Sequence, residues 1–267
     1  MKLAFSNIAW NRDEDAAVAA VLVSRGIAGV EIAPTAVWPA PLARTPGELT
    51  TYRENWQGLG LRVVALQAIL YGRPQLRVFG AEDSQRALVQ HVDGMFSLAA
   101  ALGAHALVFG SPGNRRRDGL PFAEAVRRAA VLFRELAGLA QSRGVVLCIE
   151  PNPEAYQCDF VVNGAEAVTL AEAVDHPGFG IHLDAGGLKL SGEDPNDAVQ
   201  RALPWLRHVH ASEPHLVPFG VGGAQHALLA DALREVGYDG WVSVEMRRID
   251  GVPAIEHAAA AFAAVYA

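Results

Sequence analysis

Eight short apolar runs, each followed by a stretch of 3.6-residue periodicity, succeed one another with no break in composition, and this alternation leaves few folds open to the chain. The runs are Leu3 to Ala9, Gly29 to Ala33, Val63 to Ile69, Ala106 to Phe109, Val145 to Glu150, Phe179 to Asp184, His208 to Ala211 and Trp241 to Glu245. Several helical patterns between them carry recognisable ends. Asp13-Glu14-Asp15 places acid on the first turn of the first helix, and Gly26 closes it. Asn163 with Glu166 makes a capping pair, Asp194-Pro195 an N-cap with a proline behind it, and Gly103, Gly144 and Gly237 stand where helices should stop. Eight strand-helix units in 267 residues predict the α/β class and a single (β/α)8 TIM barrel, one domain over residues 1–267.

The last four runs carry, as their last or nearly last residues, side chains that favour metals: Glu150, Asp184, His210 and Glu245. They follow one another at intervals of 34, 26 and 35 residues, the length of one strand-helix unit. Strand ends at one phase deliver their side chains to one rim of a barrel, where the loops after the strands build active sites. Three carboxylates and one imidazole form a hard, borderline-nitrogen donor set suited to one Mn²⁺, Mg²⁺, Co²⁺ or Zn²⁺, and predict metal-assisted chemistry.

Half the residues are apolar and 19% are charged, so the chain is globular. The formal charge of −7 argues against nucleic acid as a partner, because such binding needs dense Lys and Arg contacts to phosphates. The opening Met-Lys-Leu-Ala-Phe-Ser-Asn lacks the apolar stretch of a signal peptide, and the apolar tail Ala258 to Ala267 is too short to span a bilayer. A soluble cytoplasmic protein with no membrane partner is expected, with self-association into a homo-oligomer left open. Cys148 in a strand and Cys158 in a loop form no Cys-x-x-Cys motif and agree with a reducing compartment.

Other rim residues come from the first half of the chain. Glu31 and Gln67 end strands and are candidates to face substrate. Asn7 and the turn Gly110-Ser111-Pro112-Gly113-Asn114 are further rim positions. His182 shares a face with Asp184, and His208 with His210, because side chains two apart along a strand point the same way. Both are expected one layer deeper, as hydrogen-bonded orienters, with His182 counted among the residues around the substrate space. Arg115-Arg116-Arg117 reads either as a solvated loop or as a loop from which Arg115 leans over the rim to bind a substrate phosphate or carboxylate. Trp10, Trp38 and Phe109 either stack on a sugar ring or pack loops.

From Met-Lys-Leu-Ala-Phe-Ser-Asn and Gly-Val-Glu-Ile-Ala-Pro to Gly-Tyr-Asp-Gly-Trp-Val-Ser-Val-Glu-Met, the whole chain resembles the xylose-isomerase-like barrels. This sugar phosphate isomerase and epimerase group includes D-tagatose 3-epimerases, hydroxypyruvate isomerases, inosose dehydratases and, more distantly, endonuclease IV. The resemblance implies one divalent ion held by Glu150, Asp184, His210 and Glu245, with Glu150 and Glu245 as the proton-transferring pair. Two positions depart from the epimerase pattern. Gly187 stands where a substrate-contacting His follows the metal-binding Asp, and Leu216 stands where an Arg often follows the metal-binding His. His226, after the Gly-rich loop Gly220 to Gln225, is a candidate to occupy some of the vacated space, or is simply a polar residue at a helix start.

Together these readings predict a divalent-metal-dependent isomerase or epimerase of a sugar or polyol ketone. It would work through a metal-stabilised enediolate with Glu150 and Glu245 as acid and base. The alternatives are a dehydratase of a keto-polyol, since the same enediolate can expel hydroxide, or a non-catalytic sugar-binding barrel, suggested by Gly187 and Leu216. A phosphodiesterase of the endonuclease IV kind needs more histidines at the rim than strands ending in Gln67 and Phe109-Gly110 supply.

Overall fold

The computed structural model of the chain describes residues 1–248 and 251–267. Eight parallel strands close into one barrel in sequence order: β1 (Lys2–Ser6), β2 (Gly29–Ile32), β3 (Arg62–Leu66), β4 (Ala106–Phe109), β5 (Val146–Ile149), β6 (Phe179–Asp184), β7 (Leu206–Ser212) and β8 (Trp241–Glu245). Closure is made by β1 against β8, with Lys2 opposite Trp241 and Phe5 opposite Val244. The main helices after the strands are Asp15–Ser24, Pro46–Gly58, Glu82–Leu102, Phe122–Ser142, Gly164–Val174, Pro195–Ala202, His226–Glu235 and Val252–Tyr266, which makes the fold a (β/α)8 TIM barrel. Among the described residues no helix is long and apolar enough to cross a membrane.

The expected helix ends are present. Asn163 accepts from the Glu166 amide at 2.9 Å, and Asp194 from those of Asn196 and Asp197. Gly103 takes a left-handed φ of 82° to end its helix, which a side chain would disfavour. Several strand boundaries differ: β3 stops at Leu66, not Ile69, and β7 runs from Leu206 to Ser212, beyond the expected His208 to Ala211 at both ends. β1 stops at Ser6, not Ala9, because Asn7–Ala9 form a 3-10 turn and Asn7 Oδ1 instead accepts the Ala33 amide at 2.8 Å, tying the ends of β1 and β2 together.

Apolar side chains from the outer strand faces and the inner helix faces make one large core. A second, small cluster of Ala4, Val64, Ala65, Ala106, Val146 and Cys148, with Trp241 against it, fills the N-terminal part of the barrel. Gly29 is required there: a Cβ would lie 2.7 to 2.9 Å from Trp241, Ala4 and Val64. Further along β2, β6, β7 and β8 the interior turns polar, with Glu31, His182, His208 and Ser243 all buried. That layer supports the rim above it.

Candidate active site

At the C-terminal ends of the strands a cavity of about 520 Å³ opens, lined among others by Gln67, Gly110, Glu150, Asn152, Tyr156, Asp184, His215, Glu245 and Arg247. Glu150 follows β5 directly. Its Oε2 sits only 1.9 Å from where a Cβ at position 110 would be, so the carboxyl takes up room that Gly110 leaves vacant. Burial pushes the Glu150 carboxyl up to about 8, with Asp184 and Glu245 adding to the effect.

Asp184 ends β6 and caps the short helix Ala185–Ser191. Its Oδ1 accepts the Gly187 amide at 2.5 Å, while its buried Oδ2 has no hydrogen-bond partner. Gly187 therefore contributes a backbone N–H to the site where a side chain was expected to matter. Burial, then Glu245, lifts Asp184 to about 6.

His210 in β7 stands between two carboxylates. Its Nε2 lies 2.8 Å from Glu31 Oε2, and its Nδ1 lies 3.3 Å from Glu245 Oε2 without a hydrogen bond. Burial alone would lower its pKa, but Glu31 and Glu245 outweigh it and hold His210 well above the ordinary histidine value. Glu31 shows the converse: burial raises it, and His210 with His208 more than reverse this, so it stays ionised. His208 Nε2 is 3.3 Å from Glu31 Oε1. His182 packs its ring 4.1 Å from that of His210, and neither of its buried nitrogens has a hydrogen-bond partner.

These residues fit a divalent cation. Ligand atoms of Glu150, His182, Asp184 and His210 lie within 4.8 Å of one another, and Glu245 adjoins His210. The unpartnered Asp184 Oδ2 and His210 Nδ1 are buried acceptor positions of the kind an ion satisfies. Glu31 plays the part of the carboxylate that fixes a ligating imidazole through its far nitrogen.

Proton and ion thus compete for one set of groups. Carboxyls raised by folding hold protons that the unfolded chain has released, so this contribution to stability is complete below the ordinary carboxylate range and is lost as pH rises through about 6 and about 8. Thermal unfolding in chelator should show stability falling across that window. Mn²⁺ should reverse the fall, most strongly near pH 8, by about 2.7 kcal/mol at a hundredfold excess over Kd. An equal Mn²⁺ shift in Asp184→Ala, or none in the unmodified chain, would count against a specific site.

Of the residues expected around the substrate, Gln67 lines the cavity and is bonded to Ser6 Oγ. Glu31 and His182 lie beneath it, wholly buried. Arg115 and His226 are placed elsewhere, which corrects both assignments. The Arg115 side chain is fully buried and donates to the carbonyls of Phe160, Phe109 and Glu150 at 3.0, 3.0 and 2.6 Å, so it braces the loops and does not lean over the rim. His226 faces away from the cavity: Nδ1 lies 3.0 Å from the Tyr266 hydroxyl and Nε2 lies 3.2 Å from Glu213, with the ring tilted on Phe219. Trp10, Trp38 and Phe109 are buried in packing, and the Cys158 thiol donates to the Phe160 carbonyl. Sequence reasoning passed over Asn152, Tyr156, His215 and Arg247. Arg247 had a signal, being two residues beyond Glu245 and so in phase with it.

The xylose isomerase-like TIM barrel family model matches residues 19–265. A ketose 3-epimerase of Arthrobacter globiformis is 30% identical over 90 residues, which cover 34% of this chain and 31% of that protein. The chain therefore spans about a third of the length of that curated relative. Among solved structures, D-psicose 3-epimerase from Clostridium cellulolyticum H10 with D-tagatose superposes with a TM-score of 0.81 at 18% identity, covering 100% of this chain and 99% of that one. The 3-keto-D-glucoside 4-epimerase of E. coli gives a TM-score of 0.81 at 18% identity, covering 98% of each chain. At such identities the likeness establishes the barrel. With the family model spanning nearly the whole sequence, the chain belongs to the xylose isomerase-like TIM barrel family.

Proposed function

We propose that the chain is a divalent-metal-dependent isomerase that shifts a proton beside the carbonyl of a ketose, as an epimerase or an aldose-ketose isomerase. The observation that carries this is the opening of two carboxyl groups, Glu150 and Glu245, into one cavity beside the buried donors Asp184 and His210. Its volume of about 520 Å³ is of the size that small-molecule sites have. The ketose 3-epimerase relative supports the same class.

Epimerisation next to a carbonyl requires one group to take a C–H proton and another to return one. In this reading Glu150 and Glu245, which both line the cavity, are that pair. When bound, a divalent ion held by Glu150, Asp184, His210 and Glu245 would supply Lewis-acid stabilisation of negative charge on the substrate oxygens. Glu31 fixes the His210 ring, Gly187 fixes one oxygen of Asp184, and Arg115 holds the Glu150 carbonyl, so the site is oriented before substrate arrives. Gln67, Asn152 and Tyr156 offer polar groups to sugar hydroxyls.

The test is to incubate the protein with a panel of ketoses in D₂O and Mn²⁺, following C–H signals by NMR. Deuterium should enter the carbon beside the carbonyl, and chelator should stop it. Ketose binding with neither exchange nor product would mark a sugar-binding barrel. Product that has lost water would mark a dehydratase.

A further inference from the structure

Arg247 is exposed on the cavity wall, in phase with Glu245, and among the described residues its guanidinium makes no ion pair with Glu150, Asp184, Glu245 or any other acid. The arginines of the loop after β4 are engaged otherwise. Arg115 is buried against carbonyls, Arg117 donates to the carbonyls of Asp159 and Leu120, and Arg116 lies 3.9 Å from Asp118.

Beside Arg247, the loop after β7 holds two successive residues with side chains in the left-handed region, His215 at φ 59° and Leu216 at φ 56°. Both line the cavity. Such a conformation is unfavourable for L residues and persists only where the surroundings over-determine it. Here they do. The His215 amide donates to the Tyr156 hydroxyl, the Leu216 amide to the Glu213 carbonyl, and the Arg247 amide to the Leu216 carbonyl, each at 2.8 Å. Buried Glu213 in turn accepts the amides of Gly220 and Ala224 at 2.8 Å and adjoins His226. The loop is therefore clamped from below, and His215 and Arg247 are held to one another through Leu216.

We propose that Arg247 and His215 form an oxyanion-recognising edge, and that the substrate is a ketose carrying a phosphate or carboxylate at the end remote from the reacting carbons. This deepens the isomerase reading and rests on it. Three acidic side chains face the cavity from β5, β6 and β8. Three carboxylates outnumber the charge of one divalent ion, so the charged end of an anionic sugar is disfavoured beside them and needs a cation of its own, which a planar guanidinium supplies with two parallel donors. The same repulsion orients the substrate, with its anion at the mouth and its carbonyl toward Glu150 and Glu245. A neutral ketose offers the guanidinium hydroxyl oxygens but no charge to pair with.

Calorimetric titration of the Mn²⁺-loaded protein with fructose, fructose 6-phosphate and fructuronate separates neutral sugar, phosphate and carboxylate on one carbon skeleton. At least one anionic sugar should bind about tenfold or more tightly than fructose, the worth of one charge-assisted contact. Arg247→Ala should abolish that preference, and Arg247→Lys should keep part of it as a point charge without the fork. Because the Lys variant conserves charge and stem, a folding defect in the Ala variant leaves the test intact. In the unmodified protein the preference should shrink as salt rises. Fructose bound as tightly as both anions, failure of both anions to bind, or a preference undiminished in both variants would overturn the assignment. An anion preference with no C–H exchange in D₂O for any sugar would instead retain the edge and sink the isomerase reading.

Discussion

Glutamine at position 150 or at position 245 should slow metal-dependent C–H exchange by about 10² to 10⁴, the range that general acid and base catalysis supplies. Gln keeps the volume and one oxygen of Glu and removes the proton acceptor together with a negative charge. In the proposed mechanism each carboxyl serves one half of the transfer, so either substitution alone should be enough. The loss has two sources that elemental analysis separates. If the Gln variant still carries about one Mn²⁺ per chain, the slowing belongs to proton transfer; if the ion is gone, it belongs to the donor set. His210→Ala is the reference for the second case, because in the proposed site His210 gives the ion a nitrogen and is not a member of the proton-transferring pair. A ketose turned over at full rate by both Gln variants would remove the residue assignment outright.

Methionine at position 115 should destabilise the fold by about 3 to 5 kcal/mol, the cost of breaking a buried charged network. Arg115 is fully buried and gathers the carbonyls of Phe109, Glu150 and Phe160 through short hydrogen bonds, with Val161 at 3.5 Å. Met fills much of the same space but removes the charged donor, leaving the Phe109, Glu150 and Phe160 carbonyls only the Glu150 amide, the Asn152 side chain and the Cys158 thiol at 3.3, 3.3 and 3.1 Å. Lys restores the charge as a single point and cannot serve all the directions of the fork, so Arg115→Lys should recover only part of the loss. Urea unfolding measures both variants. A loss for Arg115→Met within about 0.5 kcal/mol, the range of ordinary surface substitutions, would mean that the brace is ornamental.

The contrast between Arg115 and its neighbours shows what the chain reveals by itself. Glu150, Asp184, His210 and Glu245 can be read because each lies at or near the end of an apolar strand and the spacing between them is about one strand-helix unit; both signals are local and periodic. Arg115, Arg116 and Arg117 are alike in sequence. Which of them is buried depends on where carbonyls 6, 35 and 45 residues away come to rest, and no short-range pattern holds that information. His226 is the same case. Its partners are Glu213 and Tyr266, 13 and 40 residues distant, and only the closed barrel brings them together. The strand ends likewise give way to tertiary contacts at Asn7, whose side chain serves β2 and cuts β1 short. Arg247 differs again: its phase with Glu245 was visible, and only the extension of β8's side-chain alternation past the strand's last residue was overlooked.

Glu150 has its position because β4 runs out into a residue with no side chain at all. The neighbouring strand shapes the socket for the Glu150 carboxyl by omission, so the residue that fixes where this carboxyl lies neither titrates nor binds ions. A single methyl at Gly110 acts as a wedge. It shifts the carboxyl sideways while leaving the cavity's count of acids and bases unchanged, which Gln at 150 cannot do. Distance and charge, tied together in every substitution of Glu150 itself, become separate dials at the residue beside it.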